Sequence, residues 1–331
     1  MQVNKYTSTA QGKYFRWPRR PTLASVNAMY FFAIAALVIA SFVPRALSSI
    51  WSGATRPLML CLVSFFYQAV FLFAPPTRFC IERPGAALGL RLMKPPLVPA
   101  VLSILAAIVG VMFSDNLGTL WLLLIQALGG QLPQRLSASA GLSWPIQLFF
   151  SALIPAICEE WMFRGAMLSA WERRGRGYAL TVSTLMFCSM HANLAGFPIY
   201  LITGFAMGII TLCSGSIVTA MIYHFTHNAM LIILSGTTSP TAMLGGGVLY
   251  EMLGGAQGVW LTALRALTLG LLYVGLIAAV WGWGAKMRTR TQLKKLDKKP
   301  LDLSTIIILS AGIITALSLY LVDILTIWGV L

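Results

Sequence analysis

The sequence predicts an all-α, polytopic membrane protein: a bundle of about nine transmembrane helices with a four-helix core inside it. Three observations carry this. Of 331 residues, 58% are hydrophobic and only 10% are charged, against about 25% charged in ordinary soluble domains. The mean hydropathy is +0.79. The apolar residues also come in runs long enough for helices that cross a bilayer, whereas a barrel would show short alternating strands. A soluble enzyme, a disordered chain and a small disulfide scaffold are excluded.

The expected spans are 25–43, 57–74, 97–113, 144–171, 178–193, 197–213, 216–235, 257–283 and 304–330. The stretch 117–128 is apolar but short, follows Asp115-Asn116 and is flanked by Gly118 and Gly129-Gly130. It is expected to lie in the interface or to re-enter. Charge supports that choice. Lys13, Arg16, Arg19 and Arg20 precede the first span, and Arg78, Arg83, Arg91 and Lys94 separate the second from the third. Arg173, Arg174 and Arg176 follow the fourth, and Lys286 to Lys299 separate the last two. All these clusters share one side only if 117–128 does not cross, which puts the N-terminus in the cytoplasm and the C-terminus outside.

The chain divides into an N-terminal membrane region (1–143), a core (144–235), and an outer loop with two C-terminal spans (236–331). No cleavable signal peptide is expected, because no clear cleavage site follows the first apolar run. No internal repeat is evident. The net charge of +15 suits a membrane topology signal rather than nucleic-acid binding. The basic run 286–299 reads as a cytoplasmic anchor that also suits anionic lipid. The five cysteines form no CxxC pair, so buried thiols are expected rather than disulfides or a zinc knuckle.

Intramembrane ionisable groups mark function by default. Of nine acidic residues, Glu159 and Glu160 are adjacent inside the fourth span, with Arg164 following. Glu160 and Arg164 stand i,i+4, so they form a natural ion pair. Glu159 is rotated by about 100° and must look to another helix. The three histidines, His191, His224 and His227, all fall in the fifth and seventh spans. His224 and Asn228 share a helix face. Counted by helical rise, Glu159, His191, His224 and Asn228 fall in one membrane layer.

A carboxylate and an imidazole facing one cavity can hold and deprotonate a water. An imidazole N–H and an Asn amide can donate to an oxyanion. These are the parts of a hydrolase without a covalent nucleophile. Cys158 and Cys188 lack an evident activating setting. Glu159, His191 and His224 could instead ligate zinc with an open position for water, although HExxH is absent. The sequence leaves a carboxylate-held and a metal-held water both open.

Glu159-Glu160-x-x-x-Arg164, Phe187-x-x-x-His191 and His224-x-x-x-Asn228, in order on successive helices, resemble the motif series of the CPBP, or Abi, intramembrane protease family. That family includes the type II CAAX prenyl endopeptidases. The resemblance covers residues 144–235, without departure at the motif positions, and has no place for His227. It implies that Glu159 activates the water and His191 helps hold it. It implies that His224 and Asn228 stabilise the oxyanion, with Glu160 and Arg164 supporting them. It favours a glutamate-type mechanism without cofactor. It implies a membrane-associated or lipidated protein or peptide as partner, no nucleic acid, and residence in a bacterial cytoplasmic (inner) membrane. A noncatalytic immunity or export partner and a proton-coupled transporter are the rival classes. The transporter would call for inverted repeats.

Overall fold

The computed structural model describes residues 20–46, 56–83, 85–131, 141–235, 253–287 and 300–330. The described residues are helical with no strand, and nine long helices run in order. They are α1 (Leu23–Ala46), α2 (Arg56–Glu82), α3 (Leu97–Ala127), α4 (Trp144–Arg174) and α5 (Arg176–Ser189). Then follow α6 (Phe197–Ser214), α7 (Ile217–Ser235), α8 (Gly255–Met287) and α9 (Leu303–Ile327). Eight of them are long and apolar enough to cross a membrane.

The exception is α5. The expected span 178–193 is instead a helix of 14 residues, which rises only about 21 Å against a hydrocarbon core of about 30 Å. It breaks at Met190, where the chain enters a turn in which Ala192 takes a left-handed φ of 43°. His191 therefore sits in the turn, just past the helix.

The segment 117–128 is also corrected. It neither re-enters nor lies flat; it continues α3 without a break to Ala127. Polar residues do not interrupt the helix because it satisfies them. Asn116 Nδ2 donates to the Met112 carbonyl at 2.8 Å and Thr119 Oγ1 to the Asp115 carbonyl at 2.8 Å. Gly118 is buried against Ile199 of α6. The second span likewise runs past its expected end at 74, through Pro75-Pro76 to Glu82. A π-helical turn over Gln68–Phe73 precedes the prolines.

The helix α4 is the centre of the bundle. Trp161 through Trp171 are all buried, Arg164 and Ser169 among them. Its hydrophobic core is shared with α1, α2, α3, α5, α6, α7 and α8. Two π-helical segments, Leu148–Leu153 and Trp161–Met167, interrupt α4 on either side of Glu159-Glu160. Such turns widen a helix and are frequent at functional sites.

The two ends of the bundle differ in charge. At one end Glu172 pairs with Arg20 at 2.9 Å, with Arg91, and with Arg176 at 3.4 Å. Arg173 donates to the Arg20 carbonyl at 3.1 Å. The α6–α7 turn reaches the same end, where Ser216 Oγ donates to the Met93 carbonyl at 2.6 Å. Basic residues before α1, before α3 and after α4 thus share one face of the molecule. The end of α8 reaches it too, since a Cβ on Gly284 would lie 2.9 Å from the Cys213 Cα. The basic residues 288–299 and the loop residues 236–252 lie outside the described residues. At the opposite end Trp121, Leu194 and Ile327 pack together.

Candidate active site

The site is built where α4, α5, α6 and α7 meet. The α4 ion pair forms at its heart: Arg164 Nη1 donates to Glu160 Oε1 at 2.8 Å, with both side chains fully buried. Two such charges stay buried only when paired and hydrogen-bonded, and further groups complete the shell. Arg164 Nη2 donates to the Gly204 carbonyl of α6 at 3.1 Å. The guanidinium also lies 4.3 Å from the Phe187 ring centroid on α5, within cation–π range.

Glu160 reaches α7 as well. His224 Nδ1 lies 3.0 Å from the same Glu160 Oε1. A carboxylate only accepts, so Nδ1 carries the hydrogen. This turns the other ring nitrogen toward Glu159: Nε2 is 4.0 Å from Glu159 Oε2. That is beyond hydrogen-bond length and within the reach of one bridging group. Glu159 does face another helix, as its rotation from Glu160 requires.

His191 is held in three ways. Its Nδ1 lies 3.0 Å from the Phe187 carbonyl, so Nδ1 carries the hydrogen and Nε2 is left as an acceptor. Its ring stacks on Tyr200 of α6 at 3.9 Å and 26°. The Phe187 ring meets it edge-on, with centroids 4.8 Å apart. The Phe187 ring is also 6.2 Å from that of His224, so one buried aromatic contacts both imidazoles. Phe187 is 2% exposed and packs rather than lining an open wall.

Asn228 Nδ2 donates to the Ser151 carbonyl at 3.1 Å, inside the first π-helical segment of α4. His227 meets the site through Asn228, whose side chain it hydrogen-bonds. It is buried, its ring stacks on Tyr223 at 6.1 Å, and its Nε2 has no hydrogen-bond partner among the described residues. Cys158 and Cys188 are free, buried thiols, without the exposure that reactive cysteines show.

Sequence reasoning missed Tyr200 and the Gly204 carbonyl. A backbone acceptor leaves no mark in a sequence, but Gly204-x-x-x-Gly208 does have the small-residue spacing of close-packed membrane helices. A Cβ at Gly204 would come within 2.9 Å of Thr184 and 3.3 Å of Phe187. The glycine is what lets α6 bring its carbonyl to Arg164.

Among the described residues, no three His, Cys, Asp or Glu side chains come together as a metal-holding group. Glu159, His191 and His224 in this arrangement do not fit a three-ligand zinc site.

Residues 141–230 match the family described as type II CAAX prenyl endopeptidase Rce1-like. The matched segment begins just before α4 and ends after Asn228. It contains the helices that build the site. No curated protein and no solved structure gives a significant match.

Proposed function

We propose that this chain is an intramembrane endopeptidase, cutting a peptide bond of a membrane-associated or lipidated protein or peptide with a glutamate-activated water. One observation carries the reading. Glu159 and His224 Nε2 face each other from α4 and α7 at 4.0 Å, while the buried Glu160–Arg164 pair fixes His224 from behind. The likeness of residues 141–230 to CAAX endopeptidases supports the same class.

Each residue then has a task. Glu159 takes a proton from the water, whose oxygen attacks the scissile carbonyl. His191 Nε2 accepts the second water hydrogen and orients the attack. The carbonyl oxygen becomes an oxyanion, stabilised by donors placed for it. His224 offers an Nε2–H when its imidazole is protonated on both nitrogens. Asn228 has a second amide hydrogen beyond the one given to Ser151. Collapse breaks the C–N bond, and the proton on Glu159 passes to the leaving amine. The basic end is assigned to the cytoplasm of a bacterial inner membrane, which puts the N-terminus inside and the C-terminus outside.

The test compares hosts expressing the wild type or Glu159→Gln at equal levels, by the terminal peptides of their membrane proteins. Glutamine keeps the shape and removes the base. Termini that appear with the wild type and vanish with Glu159→Gln are expected, and they identify the substrate and the cut together. Identical termini overturn the proposal and favour a noncatalytic partner.

A further inference from the structure

We infer that the protease site extends beyond the segment that resembles the family, and that Trp121, Tyr320 and Asp323 are positioning residues which hold the His191 turn from α3 and α9. The inference rests on the proposed role of His191.

The turn needs an external hold. The helix α5 stops at Ser189, and α6 begins at Phe197. Between them Ala192 adopts a left-handed conformation at φ 43°, which an L-residue keeps only where its surroundings fix it. Two of the local bonds are long: Ala192 N–H to the Ser189 carbonyl and Met190 N–H to the Phe187 carbonyl are each 3.3 Å, while His191 N–H to the Cys188 carbonyl is 3.1 Å.

Two helices outside residues 141–230 supply the grip. Asp323 of α9 is 5% exposed and accepts the Leu194 backbone N–H at 2.7 Å. Trp121 of α3 donates its indole N–H to the Leu194 carbonyl at 3.0 Å. Both backbone groups of Leu194 are thereby taken by side chains. Tyr320, close to one helical turn before Asp323, donates to the Cys188 carbonyl at 2.9 Å. Its ring also meets Phe197 edge-on at 5.9 Å. The clamp therefore seizes the chain three residues before His191 and three residues after it. Asp323 sits within a membrane-length helix, where an acidic residue carries a cost and marks function by default. Its partner here is a backbone group of the catalytic segment. The short, charge-assisted bond it makes is of the strong kind.

The clamp acts on the imidazole through the backbone. His191 Nδ1 is tied to the Phe187 carbonyl, and the ring stacks on Tyr200. Both partners sit on helix ends joined by the turn. When the turn is held, Nε2 points one way; when it is released, the ring can swing from its stack.

The chain has three histidines, so the imidazoles can be followed one by one. The full-length protein in detergent micelles is treated with diethyl pyrocarbonate, which acylates unprotonated imidazole, and each site is read by mass spectrometry. Asp323→Ala and Trp121→Phe should raise the His191 acylation rate about tenfold, the scale of one strong hydrogen bond. His224 and His227 should change little. Asp323→Asn keeps an acceptor oxygen and should restore most of the protection. Trp328→Phe is the control. It removes a bond at the same end of the bundle, to the Leu128 carbonyl at 3.2 Å, that grips no residue of the turn, and should leave His191 as in the wild type.

The same variants should lower production of the termini that depend on Glu159. Unchanged His191 reactivity in both Asp323→Ala and Trp121→Phe overturns the clamp, and so does equal acceleration at all three histidines. Should Asp323→Ala not fold, Trp121→Phe with the Asp323→Asn comparison still decides. If no terminus depends on Glu159 while His191 responds, the clamp stands and the protease reading falls.

Discussion

Arg164 is the residue on which most of the site's polar geometry depends. It pairs with Glu160, donates to the Gly204 carbonyl and lies over Phe187. Removing one partner from a fully buried pair leaves a stranded charge, at a cost of about 3–5 kcal/mol, whereas replacing both by apolar groups of similar size is often near neutral. Arg164→Met alone should therefore lower thermal stability in detergent sharply. Adding Glu160→Met should recover much of the loss. Cleavage should stay absent in the double variant, because His224 Nδ1 has then lost the carboxylate that turns Nε2 toward Glu159. Unfolding and activity measured on the same preparations separate the two effects. Recovery of activity in the double variant would contradict the orienting role of Glu160.

Helix contacts turn on a few glycines. Gly204 on α6 meets Thr184 and Phe187 of α5, so Gly204→Ala forces these side chains aside. Overpacking of this kind costs about 1–3 kcal/mol, and displacement of Phe187 should also reduce cleavage. Gly275 on α8 has nothing within 4 Å of its Cβ position. Gly275→Ala should be neutral or slightly stabilising, since alanine is the better helix former by about 1 kcal/mol. Melting curves of the pair provide the comparison. Equal effects would mean that α6 does not approach α5 as closely as the geometry requires. The π-helical segments of α4 act at the same scale. One supplies the Ser151 carbonyl that Asn228 reaches, and the other carries Arg164.

Across the whole molecule, orientation follows from where the basic residues gather. Arg20, Arg91, Arg173 and Arg176 come from segments far apart in sequence, yet they meet at one end around Glu172. Leu128 and Leu194 lie at the other end, with Trp121 and Trp328. In a cysteine-free background, Gly177→Cys should react with a membrane-impermeant maleimide only after the cells are permeabilised. Leu128→Cys should react in intact cells. Both positions are exposed, and a Cβ at Gly177 meets nothing within 4 Å. The reverse pattern would invert the assigned topology while leaving the site chemistry intact.

The helical membrane class, most of the spans and the candidates proposed for the site were legible in the sequence. Lipid demands long apolar helices and makes every buried charge conspicuous, so Glu159, Glu160, Arg164, His191, His224 and Asn228 stand out against an apolar background. The Glu160–Arg164 pair was legible because i,i+4 spacing fixes it locally. What required the tertiary structure was everything set by contacts between distant segments. The polar residues near Asp115 look like a helix break, yet α3 runs through them, because its own carbonyls accept from the Asn116 and Thr119 side chains. The apolar run to 193 reads as one span, yet α5 ends at Ser189, because Trp121, Tyr320 and Asp323 hold the turn after it. Hydropathy records how a residue partitions between water and lipid. Which backbone carbonyl or N–H another helix will satisfy is decided only when the helices pack, and that packing aims the imidazoles.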